Sequence, residues 1–177
     1  LEIVMRRLLV TIVAGVVLVA GLTSVVVPAQ AATEAARVPT CKGALLKVTH
    51  SRTQGATGHG SVVLRFRNIS QSTCRIRGYP GVDALGRGGR VLKHAKRTLN
   101  GFAGGAHAIR TIRLHSFQVS SATVEWRNFT AHGGSCRFSA KIAVTPPNTF
   151  RTTRFRVAVS LCALQVHPVV HGRSGSG

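Results

Sequence analysis

The sequence predicts an all-β chain: an immunoglobulin-like two-sheet antiparallel β-sandwich, preceded by an N-terminal signal helix. Three observations predict it. After Val27 no stretch sustains an apolar stripe of 3.6-residue period, whereas apolar and polar residues alternate with a period of two in several short runs. Glycine-rich breaks separate those runs. The one long apolar segment, Leu8 to Val27, stands at the front and apart from the rest.

That front segment has the anatomy of an export signal. Met5-Arg6-Arg7 is basic, Leu8 to Val27 is apolar, and Pro28-Ala29-Gln30-Ala31 places small residues at the −3 and −1 positions of a cut after Ala31. The competing expectation is a retained anchor, because about 20 apolar residues also suffice to span a bilayer. A lipoprotein is excluded: it needs a cysteine directly after the apolar run, and the first is Cys41. The predicted organisation is a signal peptide over 1–31, a flexible linker over 32–40, a β-sandwich domain over 41–171 and a disordered tail over 172–177.

The strands follow in order. Val62, Leu64 and Phe66 alternate with Val63, Arg65 and Arg67; Cys74 and Ile76 alternate with Arg75 and Arg77. Ala122, Val124 and Trp126 alternate with Thr123, Glu125 and Arg127. The cleanest run sets Cys136, Phe138, Ala140, Ile142 and Val144 against Arg137, Ser139, Lys141 and Ala143, and a run from Phe155 through Val157 and Val159 to Leu161 closes the series. Fainter strands are expected at 44–49, 82–85, 91–93, 107–114 and 164–169. The breaks are Gly55 to Gly60, Gly86 to Arg90, Asn100 to Ala106 and Gly133-Gly134. Gly86-Arg87-Gly88-Gly89 suits a hairpin turn, since glycine adopts positive φ without a Cβ penalty. Pro146-Pro147 ends a strand, because proline cannot donate to the ladder. About eight short strands with no repeat describe a sandwich of immunoglobulin type.

The four cysteines, Cys41, Cys74, Cys136 and Cys162, all lie past Ala31, and no Cys-x-x-Cys pair occurs. In an exported chain this predicts two disulfides and not a zinc ribbon or redox motif. Three pairings are open. The favoured one joins Cys41 to Cys74 and Cys136 to Cys162, each bridge contributing about 3–4 kcal/mol in the chain-entropy model.

Asn68-Ile69-Ser70, Cys74 and Gly78-Tyr79-Pro80-Gly81-Val82 form an ordered set with Cys136, Val144-Thr145-Pro146-Pro147-Asn148, Cys162 and Val166-His167-Pro168-Val169. The set resembles an exported actinobacterial family, domain of unknown function 4232, over about residues 41 to 172. The resemblance implies a secreted or envelope-attached β-sandwich with two disulfides, and it implies no activity. Two stretches depart from the family pattern: Ala84-Leu85-Gly86-Arg87 replaces an apolar pair with an Asp-x-x-Gly-like turn, and Gly104-Gly105 replaces a proline-glycine. Many members are also less basic.

Composition argues against most catalysis. The chain has 177 residues with 24 Lys and Arg against 4 Asp and Glu, a net charge of +20. Past Ala31 the acids are Glu34, Asp83 and Glu125, and the last two are expected to pair with nearby arginines. No Gly-x-Ser-x-Gly elbow is present; Gly58-His59-Gly60-Ser61 reads as a turn. No phosphate-cradling glycine loop leads into a helix. Asn68-Ile69-Ser70 matches a glycosylation acceptor. Of the eight histidines, His167 and His171 have i, i+4 spacing, but on a strand they stand about 13 Å apart, too far for one metal with nitrogen bonds of about 2.0–2.1 Å. The histidines are expected to be scattered and solvated. No catalytic, cofactor-binding or metal-binding residue is assigned.

The cationic residues recur on the polar phase of the strands: Arg65, Arg67, Arg75, Arg77, Arg137, Lys141, Arg154 and Arg156. If their strands share a sheet they form one basic outer face, which attracts anions over about 8 Å at physiological salt. Such a face suits anionic envelope polymers or lipid head groups. Solvation alone also places charge on an exposed face, and GC-rich coding raises arginine, here 19 against 5 lysines. Sequence-specific nucleic-acid binding is not expected, because the nine aromatics fall on apolar phases or in loops and offer no stacking platform. The sequence therefore predicts an exported, monomeric, non-catalytic envelope domain, without cofactor, that meets the membrane only if the front segment is uncleaved. The alternative is a small secreted hydrolase or histidine-rich metal-handling protein.

Overall fold

The computed structural model describes residues 38–176. The predicted signal peptide and the predicted linker up to residue 37 lie outside the described residues. Fifteen strands follow one another: β1 (Leu46–His50), β2 (Gln54–Ala56), β3 (His59–Asn68), β4 (Cys74–Arg77), β5 (Gly81–Leu85), β6 (Val91–His94), β7 (Lys96–Arg97), β8 (Thr111–Leu114), β9 (Val119–Arg127), β10 (Phe138–Ser139), β11 (Lys141–Thr145), β12 (Thr153–Phe155), β13 (Val159–Ser160), β14 (Cys162–Val166) and β15 (Val170–His171). The only helical turns among the described residues are two 3-10 turns, Gly43–Leu45 and Arg87–Gly89. None of these residues forms a helix long and apolar enough to cross a membrane.

A seven-stranded sheet runs β1-β3-β9-β14-β7, with β2 added on β3 and β15 on β9; a four-stranded sheet runs β12-β11-β5-β6. Two pairs, β4-β8 and β10-β13, complete the set. The named strands pair antiparallel except β14 with β7, and an isolated parallel bridge joins Thr40 to Arg75. The long β3 shows why the chain folds this way. Its even-numbered residues from Gly60 to Asn68 are buried, while Ser61, Val63, Arg65 and Arg67 face outward. One core cluster gathers Leu64, Phe66, Val124 and Trp126 from the large sheet, Val82 and Ile142 from the four-stranded sheet, and Ile76 and Leu114 from the β4-β8 pair. Trp126 stands opposite Gly60, and its ring lies where a Cβ at Gly60 would be.

The structure changes several sequence expectations. The run from Cys136 to Val144 is not one strand. Phe138 is 55% exposed and Ser139 is buried, because the Ser139 hydroxyl turns inward toward the carbonyls of Leu85 and Lys141, both at 2.6 Å. The apolar phase is therefore reset before Ile142 and Val144 enter the core. The run from Phe155 to Leu161 likewise divides between β12 and β13. The expected break at Gly55 to Gly60 is a hairpin, β2 pairing β3 around Gly58, whose φ is 73°. The Gly86–Gly89 turn does join β5 to β6, with positive φ at Gly88 and Gly89.

Both favoured disulfides are formed, Cys41–Cys74 and Cys136–Cys162, and no cysteine is free. The segment 172–176, expected to be disordered, is instead laid along the outer side of β9. The Gly172 amide donates to Val119 O at 2.9 Å, the Gly175 amide to Ser121 Oγ at 2.9 Å, and Thr123 Oγ1 donates to Gly175 O at 3.0 Å.

Candidate functional site

The outer face of the seven-stranded sheet is mostly polar, with Val63, Val119 and Val170 as its apolar members. Register places Lys47, Arg67 and Val119 in one row; Thr49, Arg65 and Ser121 in the next; then Val63 beside Thr123, and Ser61 beside Glu125 and Gln165. Two pieces of chain cross this face. The segment 172–176 covers its middle, and the glycine-rich loop 99–106 covers the end that carries Glu125. Between them they bury Ser121, Thr123 and Glu125, while Ala122, Val124 and Trp126 on the other face enter the core, so that seven consecutive residues of β9, from Ser120 to Trp126, are buried.

Under the loop is a closed polar network. Glu125 and His167 are both fully buried, with His167 Nε2 3.2 Å from Glu125 Oε1. Glu125 Oε2 accepts the backbone N–H of Phe102 at 3.1 Å and of Ala103 at 2.7 Å. Glu125 Oε1 also accepts from Gln165 Nε2. His167 Nδ1 donates to Ala106 O at 3.1 Å, a carbonyl being an acceptor only. A Cβ at Gly101 would overlap Glu125 Oε1, and one at Gly105 would overlap the His167 ring, so glycine is what lets the loop backbone descend onto the pair. The Glu125 and His167 side chains are cut off from solvent, and Gln165 stands half-buried at the edge of the network. The network is built as a clasp that holds the loop to the sheet.

At the opposite end the same face is open and cationic. A hollow of about 130 Å³ is lined by Lys47, Thr49, Arg65, Arg67, Val119 and Arg173. Arg65 Nε donates to Arg173 O at 3.1 Å. The Arg67 guanidinium lies over the Phe117 ring, 5.1 Å from its centre. Phe117 itself has φ 62°, an uncommon conformation for a bulky side chain, supported by its amide donating to Asn68 O at 2.9 Å. No described carboxylate approaches the hollow: Asp83 is held by His94 at 2.6 Å, and Glu125 is inside the clasp.

The family model for the domain of unknown function DUF4232 matches residues 41–171. The chain belongs to that family. No curated protein matches it. Among solved structures, a β-glucosidase from Kluyveromyces marxianus is similar at 10% identity with a TM-score of 0.33, over 69% of this chain and 15% of that one. A likeness that loose carries no argument.

In this DUF4232 domain the motif residues do structural work. Asn68 is fully buried, its Nδ2 donating to Ser72 O at 2.8 Å and Leu114 O at 3.0 Å, and its Oδ1 accepting from Ser70. With its amide enclosed it is no glycosylation acceptor. Gly78 takes φ 97° and its carbonyl accepts the Val169 amide at 2.9 Å, joining the Gly-Tyr-Pro turn to the Val166–Val169 stretch.

The eight cationic residues singled out by periodicity do not share one sheet. Arg65 and Arg67 lie on β3 of the large sheet. Arg75 and Arg77 lie on β4, with Arg75 directly across from Arg113 on β8. Lys141 and Arg154 lie on the four-stranded sheet, on β11 and β12, Arg156 just follows β12, and Arg137 precedes β10. Periodicity alone finds neither Lys47, on a weakly alternating strand, nor Arg173, in a segment with no strand pattern. The expected arginine partners of the two carboxylates are also corrected: Asp83 takes a histidine, and Glu125 takes backbone amides, an amide side chain and a histidine. His167 is buried, not solvated, while His171 is exposed. No group of three or more metal-ligating side chains is assembled among the described residues.

Proposed function

We propose that this protein is an exported, non-catalytic domain that associates with anionic components of the cell envelope through its cationic surface. One observation carries the proposal: no Lys or Arg among the described residues has a described side-chain carboxylate within ion-pair distance, the two such carboxylates being taken by His94 and His167. With a net charge of +20 over the whole chain, the field of this surface is answered by partners and not by the fold itself. Export is supported by the basic, apolar and small-residue order up to Ala31 and by two disulfides, which persist in oxidising compartments. The non-catalytic reading is supported by the enclosure of Glu125 and His167, which no substrate can reach. The inner faces of the seven- and four-stranded sheets share one core, which supports the two-layer, immunoglobulin-like reading of the architecture.

The test is retention of the secreted chain on an immobilised anionic polymer such as polyphosphate. Retention is expected to collapse between about 0.1 M and 1 M salt, as the Debye length shrinks from about 10 to 3 Å. Retention independent of salt, or none at low salt, overturns the proposal.

A further inference from the structure

The hollow between β1, β3 and the segment 172–176 has the features of a built oxyanion site. Its wall is four cations and a hydroxyl, Lys47, Arg65, Arg67, Arg173 and Thr49, with Val119 as an apolar floor. At about 130 Å³ it holds one tetrahedral oxyanion with a little water, a water molecule's share of liquid volume being about 30 Å³. Lys47 and Arg67 stand directly opposite each other across the β1-β3 pair, an arrangement that destabilises a sheet unless something negative sits between or above the two charges. Both β3 guanidiniums are braced beforehand. Arg65 is tied by its Nε to Arg173 O, which leaves its terminal amino groups for a ligand, and Arg67 is stacked on Phe117. Bracing lowers the ordering cost of binding, and guanidinium forks match phosphate oxygens two at a time. Donors that converge from two strands and a crossing segment suit oxygens pointing in several directions, as on phosphorus, better than the two coplanar oxygens of a carboxylate.

We infer that this hollow binds a phosphate group, and that the segment 172–176 completes the site by carrying Arg173 over β3. The inference rests on the reading that the cationic surface engages anions, and it localises that engagement to one place. Arg75, Arg77, Arg137, Lys141, Arg154 and Arg156 are then bystanders to the specific contact.

The experiment titrates the full chain with pyrophosphate at low salt by calorimetry. Polyphosphate retention and binding to phosphatidylglycerol vesicles are measured beside it, to separate a free or polymeric phosphate from a lipid head group. One-to-one uptake of pyrophosphate is expected, weakened about tenfold or more in the Arg65→Gln/Arg67→Gln variant through loss of charge-assisted hydrogen bonds. The Arg154→Gln/Arg156→Gln variant is expected to stay within about twofold of the parent, since it removes the same charge away from the hollow. Arg173→Gln gives an intermediate loss. An unchanged urea midpoint shows that each variant is folded. Equal weakening in both double variants, or uptake of several anions without saturation, overturns the site. Pyrophosphate uptake that is unchanged in Arg65→Gln/Arg67→Gln, with polyphosphate retention intact, removes the hollow and leaves envelope association standing. One-to-one pyrophosphate uptake without retention on any polymer or vesicle does the reverse.

Discussion

Glu125 sits on the polar phase of its strand, level with Thr123 and Arg127, and periodicity alone assigns it to solvent. What encloses it is a loop more than twenty residues earlier in the chain, and no local pattern in β9 encodes that contact. The trace in the sequence is the glycine density at Gly101, Gly104 and Gly105, which marks a backbone that must approach something closely. Replacing Glu125 by Leu strands the amides of Phe102 and Ala103 and leaves His167 without its partner. The expected cost is about 3–5 kcal/mol, the range for breaking a buried polar pair. It reads out as a lower urea midpoint together with faster hydrogen exchange at those two amides. Gly105→Ala drives a methyl group into the His167 ring and is expected to cost about 1–3 kcal/mol as an overpacked site. A neutral Gly105→Ala would mean that the loop does not rest on the histidine.

Among the elements, the strands with strict alternation were legible and the irregular ones were not. β3 and β9 fall where the period of two places them, because each runs straight through the sheet with one face on the core. The stretch from Cys136 to Val144 has an equally regular pattern, yet it breaks at Ala140, just after Ser139, whose hydroxyl finds two backbone carbonyls inside. A hydrogen bond to a distant strand thus outweighs the pattern in a segment too short to enforce it. Two substitutions separate the patterned register from the observed one. Phe138→Ser is expected to change stability by no more than about 0.5 kcal/mol, since the ring faces out. Ile142→Ala is expected to cost about 2–5 kcal/mol, since that side chain is fully enclosed. Equal, large losses would restore the continuous strand. The segment 172–176 was illegible for a different reason: its bonds come from backbone groups and from Ser121 and Thr123, none of which leaves a hydrophobic pattern. Cutting the chain after His171 removes two of these hydroxyl contacts, and a loss of about 1–3 kcal/mol in thermal or urea unfolding is expected.

Across the whole molecule, the cysteine pairing was within reach of the sequence, and the distribution of charge was not. Pairing neighbours along the chain needs only short closures, whereas the grouping of arginines depends on which strands share a sheet. The two bridges tie the stretch before β1 to β4 and the start of β14 to the turn before β10. Reduction is expected to cost about 3–4 kcal/mol per bridge, seen as a fall in melting temperature with dithiothreitol. The intact mass of the native protein should lack four thiol hydrogens. The placement of Trp126 adds one more consequence. It is the sole tryptophan, 2% exposed, pressed against Gly60 where the large sheet meets the core. The domain thus carries its own fluorophore at the point where loosening of the interior must be felt. Emission colour alone follows melting of the core without any label, and a ligand taken up at the far end of β3 leaves that colour unaltered.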